Sequence, residues 1–162
     1  MFRKIRRIKQ ELKETDVIDI LNKERTGILS VIGDEGYPYG VPVNYVYSDN
    51  KIYFHSAKDG HKIDAIKNNP KVCFTIISKD ILVSEELTTY FESVVIFGHA
   101  RIIENKDEMI SSMHKFAEKY NKNMSFIDSE IEKTFNQLLC IEISIDHISG
   151  KEAIELTRKR EK

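Results

Sequence analysis

Residues Gly36–Lys62 read GYPYGVPVNYVYSDNKIYFHSAKDGHK. Positions 37–47 are β-branched and aromatic, the composition of a strand; "SDN" (48–50) is a turn signal, and "KIYFHS" (51–56) is the next strand. Upstream, "ILSVI" (28–32) is a short apolar run and "GDEG" (33–36) a turn. Three strands in succession with tight turns make an antiparallel meander. Pro38 and Pro42 cannot donate to a ladder, so the middle strand lies at an edge, a bulge or a bend, and Gly40 strengthens the bulge reading.

The pattern continues outward. A helix fits Asp16 to Thr26, with Gly27 as its stop. "HKIDAIKNN" (61–69) reads as a short helix ended before Pro70. "KVCFTIIS" (71–78) is a buried strand, "KDILVSEELTTYFES" (79–93) a long connection, and "VVIFGHARII" (94–103) a strand with Gly98 in its middle. Residues 106–120 carry apolar positions at helical spacing after the capping-box-like pair Asn105 and Glu108. A further helix is read near 128–138, and "LLCIEISI" (138–145) is the last strand. The expected fold is mainly β with helices, an α+β domain built as a six-stranded antiparallel barrel.

The chain has 162 residues, one domain's worth, with 41% hydrophobic and 31% charged residues. A single domain over 1–162 is expected, with a basic extension at 1–14 and a charged tail at 157–162. The formal net charge is -1, so no global field favours nucleic acid. Neither basic run carries interleaved aromatics or an amphipathic apolar face. Both are therefore read as solvated extensions, and no nucleic-acid or membrane partner is expected. Cys73 and Cys140 sit in apolar strands and are read as reduced core residues. No apolar run approaches the ~20 residues of a membrane span, and cytoplasm is the default compartment.

"YFHSAKDGHK" (53–62) gathers donors and cations where a strand becomes a helix. A helix N-terminus offers unpaired N–H groups and a partial positive charge. Gly60 permits close backbone approach, Ser56 adds a hydroxyl, and His61 and Lys62 add cationic groups. Two readings stay open on spacing alone: an anion site, and an ordinary solvated turn. The five histidines show no metal-ligand spacing, so no metal site is expected. No nucleophile motif, dinucleotide fingerprint or P-loop is present. An enzyme built this way takes its chemistry from a cofactor.

"GYPYGVPVNYVY", "KIYFHSAKDGHKIDAIKNNPKVCFTI", "TTYFESVVIFGHARII" and "HISGKE" together resemble the FMN-binding split-barrel superfamily of pyridoxamine 5'-phosphate oxidases, most closely its nitroimidazole-resistance (Nim-type) branch. The resemblance spans about Gly27 to Lys151. It implies a six-stranded split barrel and a homodimer with FMN at the subunit interface. It also implies an FMN phosphate near Ser56, His61 and Lys62. By the same resemblance His55 would lie beside the ribityl chain or flavin, and the backbone of Val43 and Asn44 would meet the isoalloxazine edge. The oxidases carry "RQVRIEG" where this chain has "ESVVIFG" (92–98). Ser93 replaces the glutamine and joins the cofactor-binding candidates, while Glu92 and Val95 replace the arginines. That loss speaks against pyridoxamine 5'-phosphate oxidase activity itself. The implied function is a nitroreductase-like FMN oxidoreductase acting on a small molecule, with His55 as the candidate for proton transfer. A non-catalytic flavin- or haem-binding protein is the alternative.

Overall fold

The computed structural model describes residues 1–160; Glu161 and Lys162, the end of the expected charged tail, lie outside the described residues. Seven strands form one antiparallel sheet: β1 (Thr26–Ile32), β2 (Pro38–Asn44), β3 (Val46–Ser48), β4 (Lys51–Ala57), β5 (Lys71–Val83), β6 (Thr88–Ile102) and β7 (Leu138–Glu152). Five helices accompany it: α1 (Glu14–Lys23), α2 (His61–Asn68), α3 (Lys106–Tyr120), α4 (Met124–Thr134) and α5 (Ile154–Arg160). The architecture is the expected α+β type. The strand count is seven rather than six, because the expected strand over 37–47 breaks at Tyr45.

The strand order is β2-β1-β5-β6-β7-β4-β3. The two edge strands, β2 and β3, are joined through Tyr45 alone. The sheet therefore curls until its edges stand side by side, yet no ladder connects them and the barrel stays split. Tyr45 is fully buried and belongs to both sides of the break. Its N–H donates to the Arg25 carbonyl at 3.1 Å and its hydroxyl to the Leu21 carbonyl at 3.0 Å. Its own carbonyl accepts from Lys119 Nζ at 3.2 Å and Tyr120 Oη at 3.1 Å, while Lys119 Nζ also donates to the Glu24 carbonyl. Side chains of α3 thus satisfy the backbone groups that the break leaves without a ladder.

The barrel interior takes alternate residues of each strand, among them Leu29, Ile52, Phe54, Phe74, Ile76, Val94, Ile96 and Ile143, with Leu21 of α1 and Ile63 of α2 closing it. Burying each such side chain is worth about 1.5–3 kcal/mol. A second apolar cluster forms outside the barrel, where Met109 and Met113 of α3 and Ile127 and Ile131 of α4 cover Val46, Tyr53 and Cys140. At its edge Glu142, almost fully buried, receives hydrogen bonds from Arg101 at 2.9 Å and sits 3.0 Å from Lys51 Nζ. Burial pushes this carboxyl's pKa up, but the Arg101 and Lys51 contacts outweigh it and hold the pKa below the ordinary range.

Three other expectations change. The segment 79–93 is a hairpin rather than an irregular connection, since β5 and β6 stay paired out to Val83 and Thr88. Its tip faces solvent on both sides, as exposed Ile81, Leu82 and Leu87 show, so no burial period marks the turn, although Tyr90 near its base is buried. The basic extension is solvated only in part. Gln10 is buried and donates to the Glu152 carbonyl at 3.0 Å, and Leu12 N–H donates to the Gly150 carbonyl at 3.0 Å. The described part of the charged tail is α5, tied back by Arg160 to Glu152 at 2.8 Å and Asp16 at 3.1 Å. Gly98 sits at a β6 bulge where any Cβ would collide with the Ser144 carbonyl oxygen, which explains a glycine inside a strand. Among the described residues no helix is long and apolar enough to cross a membrane.

Candidate functional site

The strand-to-helix turn builds the site from alternation. Along β4, Ile52 and Phe54 point into the barrel, so Ser56 does too, while Tyr53, His55 and Ala57 point outward. Ser56 is 6% exposed, and its Oγ has no hydrogen-bond partner. A buried, unsatisfied hydroxyl is uncommon and calls for an explanation. The chain then reverses at Gly60, whose φ of 132° only glycine adopts comfortably. Helix α2 starts there with no side-chain cap; Ile63 and Asp64 N–H groups bond back to the Gly60 carbonyl. That leaves the His61 and Lys62 N–H groups free at the positive end of the helix dipole. Neither Lys58 nor Lys62 enters an ion pair among the described residues.

The other candidates divide. The His61 ring is committed elsewhere: it stacks on Tyr39 with centroids 4.3 Å apart, and its Nε2 accepts from the Asp34 N–H at 3.2 Å. Gly33 leaves room for that ring, since a Cβ there would meet Nε2 at 2.7 Å. Only Nδ1 and the main-chain N–H of His61 remain for a ligand. Val43 and Asn44 end the edge strand β2, whose outer backbone has no ladder. Ser93 lies on the outer face of β6, paired with Ile77 and Lys151 and two strands away from β4. One chain therefore brings Ser56 and Lys62 to one turn and Asn44 and His55 to one wall, and leaves Ser93 apart.

That wall bounds a cavity of about 550 Å³ between the α3–α4 hairpin and the barrel end. Phe116, Tyr120, Phe126, Ile131 and Thr134 line it together with Asn44 and His55. The sequence pattern had put the α3 residues in a plain core stripe; their spacing could show a buried face but not a gap within it. Phe116 meets the His55 ring edge-on at 4.3 Å. Desolvation there pushes the imidazole pKa down and favours the neutral ring. Of the other histidines, His99 Nδ1 sits 2.6 Å from Asp146 and His114 Nε2 3.4 Å from Asp128, both structural pairings. No group of three or more His, Cys, Asp or Glu side chains could hold a metal among the described residues.

The family described as pyridoxamine 5'-phosphate oxidase matches residues 13–152. The chain belongs to the pyridoxamine 5'-phosphate oxidase family. Comparison with curated protein sequences gives no match. Solved structures of this family's fold superpose well. A protein described as a candidate 5-nitroimidazole antibiotic resistance protein of Bacteroides thetaiotaomicron has a TM-score of 0.72 at 21% identity, over 88% of this chain and 86% of the other. A FAD-binding protein of Mesorhizobium loti has a TM-score of 0.65 at 23% identity, over 88% and 96%. A FAD- and haem-binding protein of Mycobacterium smegmatis has a TM-score of 0.74 at 15% identity, over 89% and 73%. At such identities the likeness shows the shared fold.

Proposed function

We propose that the chain is an FMN-binding flavoprotein, a nitroreductase-like oxidoreductase acting on a small molecule. One observation carries this reading: the buried, unpartnered Ser56 hydroxyl beside an uncapped helix start that carries Lys62. A phosphate dianion fits that set of donors, since it accepts several hydrogen bonds and gains from a formal cation and a helix N-terminus. In this reading Ser56, Lys62 and the first N–H groups of α2 hold the phosphate, and His61 contributes through its N–H and Nδ1. Val43, Asn44 and His55 run along the ring system. A bound flavin supplies two-electron redox chemistry. The chain binds and orients it, the α3–α4 hairpin excludes water, and neutral His55 is the candidate to pass a proton to a substrate.

The working unit in this proposal is a homodimer. The outer face of β1, β5 and β6 exposes apolar side chains among polar ones, with Ile77 53% and Ile32 45% exposed and Phe97 partly covered by the Phe2 ring.

The test is the absorption spectrum of the purified protein, with chromatography of any flavin released on denaturation. Yellow protein carrying FMN is expected; a colourless protein that takes up no added FMN refutes the reading. Anaerobic mixing with NADH or NADPH then separates an enzyme, whose flavin bleaches and reoxidises with an acceptor, from a carrier. A Soret band on adding haem would favour the haem-binding alternative.

A further inference from the structure

The cavity beneath the α3–α4 hairpin has two chemically different ends. Its helical side is apolar, with Met113, Phe116, Phe126 and Ile131, and no lysine or arginine lines it. An anion entering there would lose its hydration and meet no counter-charge. The one charged lining residue, Glu130, is held by Lys133 at 2.6 Å. The lining therefore favours neutral compounds over phosphates and carboxylates, and a phosphate at the α2 turn lies outside it. The barrel end of the cavity carries Asn44 and His55. Asn44 Oδ1 accepts from Thr26 Oγ1 at 3.1 Å, which leaves the amide NH₂ to donate. The His55 ring contacts Phe116 by its edge and makes no hydrogen bond among the described residues. Two exposed donors therefore stand at one end of a chamber whose remaining wall is mainly apolar, with Tyr120, Asn121, Glu130 and Thr134 as its other polar groups.

We infer that this cavity binds a neutral, largely apolar ring compound bearing a carbonyl-type oxygen, with the ring against Phe116 and Phe126 and the oxygen towards Asn44 and His55. The volume of about 550 Å³ lies within the range of small-molecule sites and admits a fused-ring compound with room to spare. The inference deepens the flavin reading and rests on it for the neighbour: Asn44 and His55 also border the proposed flavin ring, so the compound sits against it.

The experiment titrates the full-length protein with the neutral fluorophore N-phenyl-1-naphthylamine, then competes it with menadione. A saturable rise in fluorescence, reversed by menadione and unaffected by inorganic phosphate, is expected; FMN, seated beside the cavity, changes the bound signal without lowering the number of fluorophore sites. Ala117→Trp fills the cavity from α3 and weakens both compounds at least about tenfold. Thr134→Trp does the same from α4, and covers the case in which the first variant fails to fold, as judged by its thermal melt. His55→Leu keeps the apolar wall but removes a donor. It leaves the fluorophore within about twofold and weakens menadione about three- to tenfold, the worth of one hydrogen bond. The inference is overturned if no saturable fluorophore binding occurs, or if FMN displaces the fluorophore competitively, which would make the cavity the flavin's own. Uptake of both compounds without any FMN binding refutes the flavin reading and leaves this one standing; FMN binding without the fluorophore does the reverse.

Discussion

Replacing Ser56 by alanine should move stability and ligand affinity in opposite directions. The side chain is 6% exposed and its oxygen has no partner. An unsatisfied buried hydroxyl costs about 1–3 kcal/mol. Deleting it relieves that cost and removes only one atom from the barrel, so the packing loss is small. The flavin-free Ser56→Ala protein is therefore expected to be unchanged or up to ~1 kcal/mol more stable, a rise of up to ~3 °C in Tm for a chain of this size. The bound state behaves differently. A hydrogen bond to a charged phosphate contributes about 1.5–3 kcal/mol, so Kd for FMN should rise about 10- to 100-fold. Thermal unfolding of the flavin-stripped protein measures the first quantity and quenching of flavin fluorescence the second. A variant that melts several degrees lower with unchanged FMN affinity would show that the hydroxyl serves the fold and not a ligand. That outcome would remove the observation on which the phosphate seat stands.

Lys62→Glu places a like charge beside the proposed phosphate and should raise Kd for FMN at least about tenfold, with Tm almost unchanged, because the position starts a surface helix; an unchanged Kd in the same titration would misplace the site. Lys119→Met removes the donor shared by the Glu24 and Tyr45 carbonyls and should cost about 2 kcal/mol, or roughly 4–8 °C in Tm; a melt within 1 °C or so of the parent would show that the seam gains little from it. His55 gives a pH signature. Its folded-state pKa lies below the unfolded value of 6.5 because burial favours the neutral ring. The unfolded chain therefore takes up the proton first as pH falls, and stability present above pH 6.5 declines below it. Urea unfolding between pH 7.5 and 5.5 should show a flatter profile for His55→Leu than for the parent, and parallel profiles would contradict the assignment.

The meander, α3 and the turn at 53–62 were legible because each is written in local chemistry. Prolines confine β2 to an edge, and the Asn105 side chain does cap α3, accepting from the Asp107 and Glu108 N–H groups. The break at Tyr45 was not legible. It interrupts a run of strand-forming residues without glycine or proline, and its partners Lys119 and Tyr120 lie far along the chain. The commitment of His61 to Asp34 and Tyr39 was hidden for the same reason, since a long-range contact leaves no local period. The α5 helix was concealed by its charge: "RKR" reads as a solvated tail until Arg160 is seen paired with Glu152. Of the candidate site, spacing marked the α2 turn as one to weigh between an anion site and a solvated turn, whereas the cavity wall supplied by α4 left no mark, because a gap between helices has no signature in either helix.

The seam at Tyr45 also dictates an order of assembly. The hydrogen bonds that close it come from residues 75 and 95 positions away in sequence, whereas β5, β6 and the hairpin joining them pair between near neighbours. Loop-closure entropy is lower for the near pairs, so the β5–β6 hairpin can form early while the seam waits until α3 has docked. Mutations at Lys119 and Tyr120 should then leave the refolding rate almost untouched and accelerate unfolding, which makes the seam the point where the native barrel first opens.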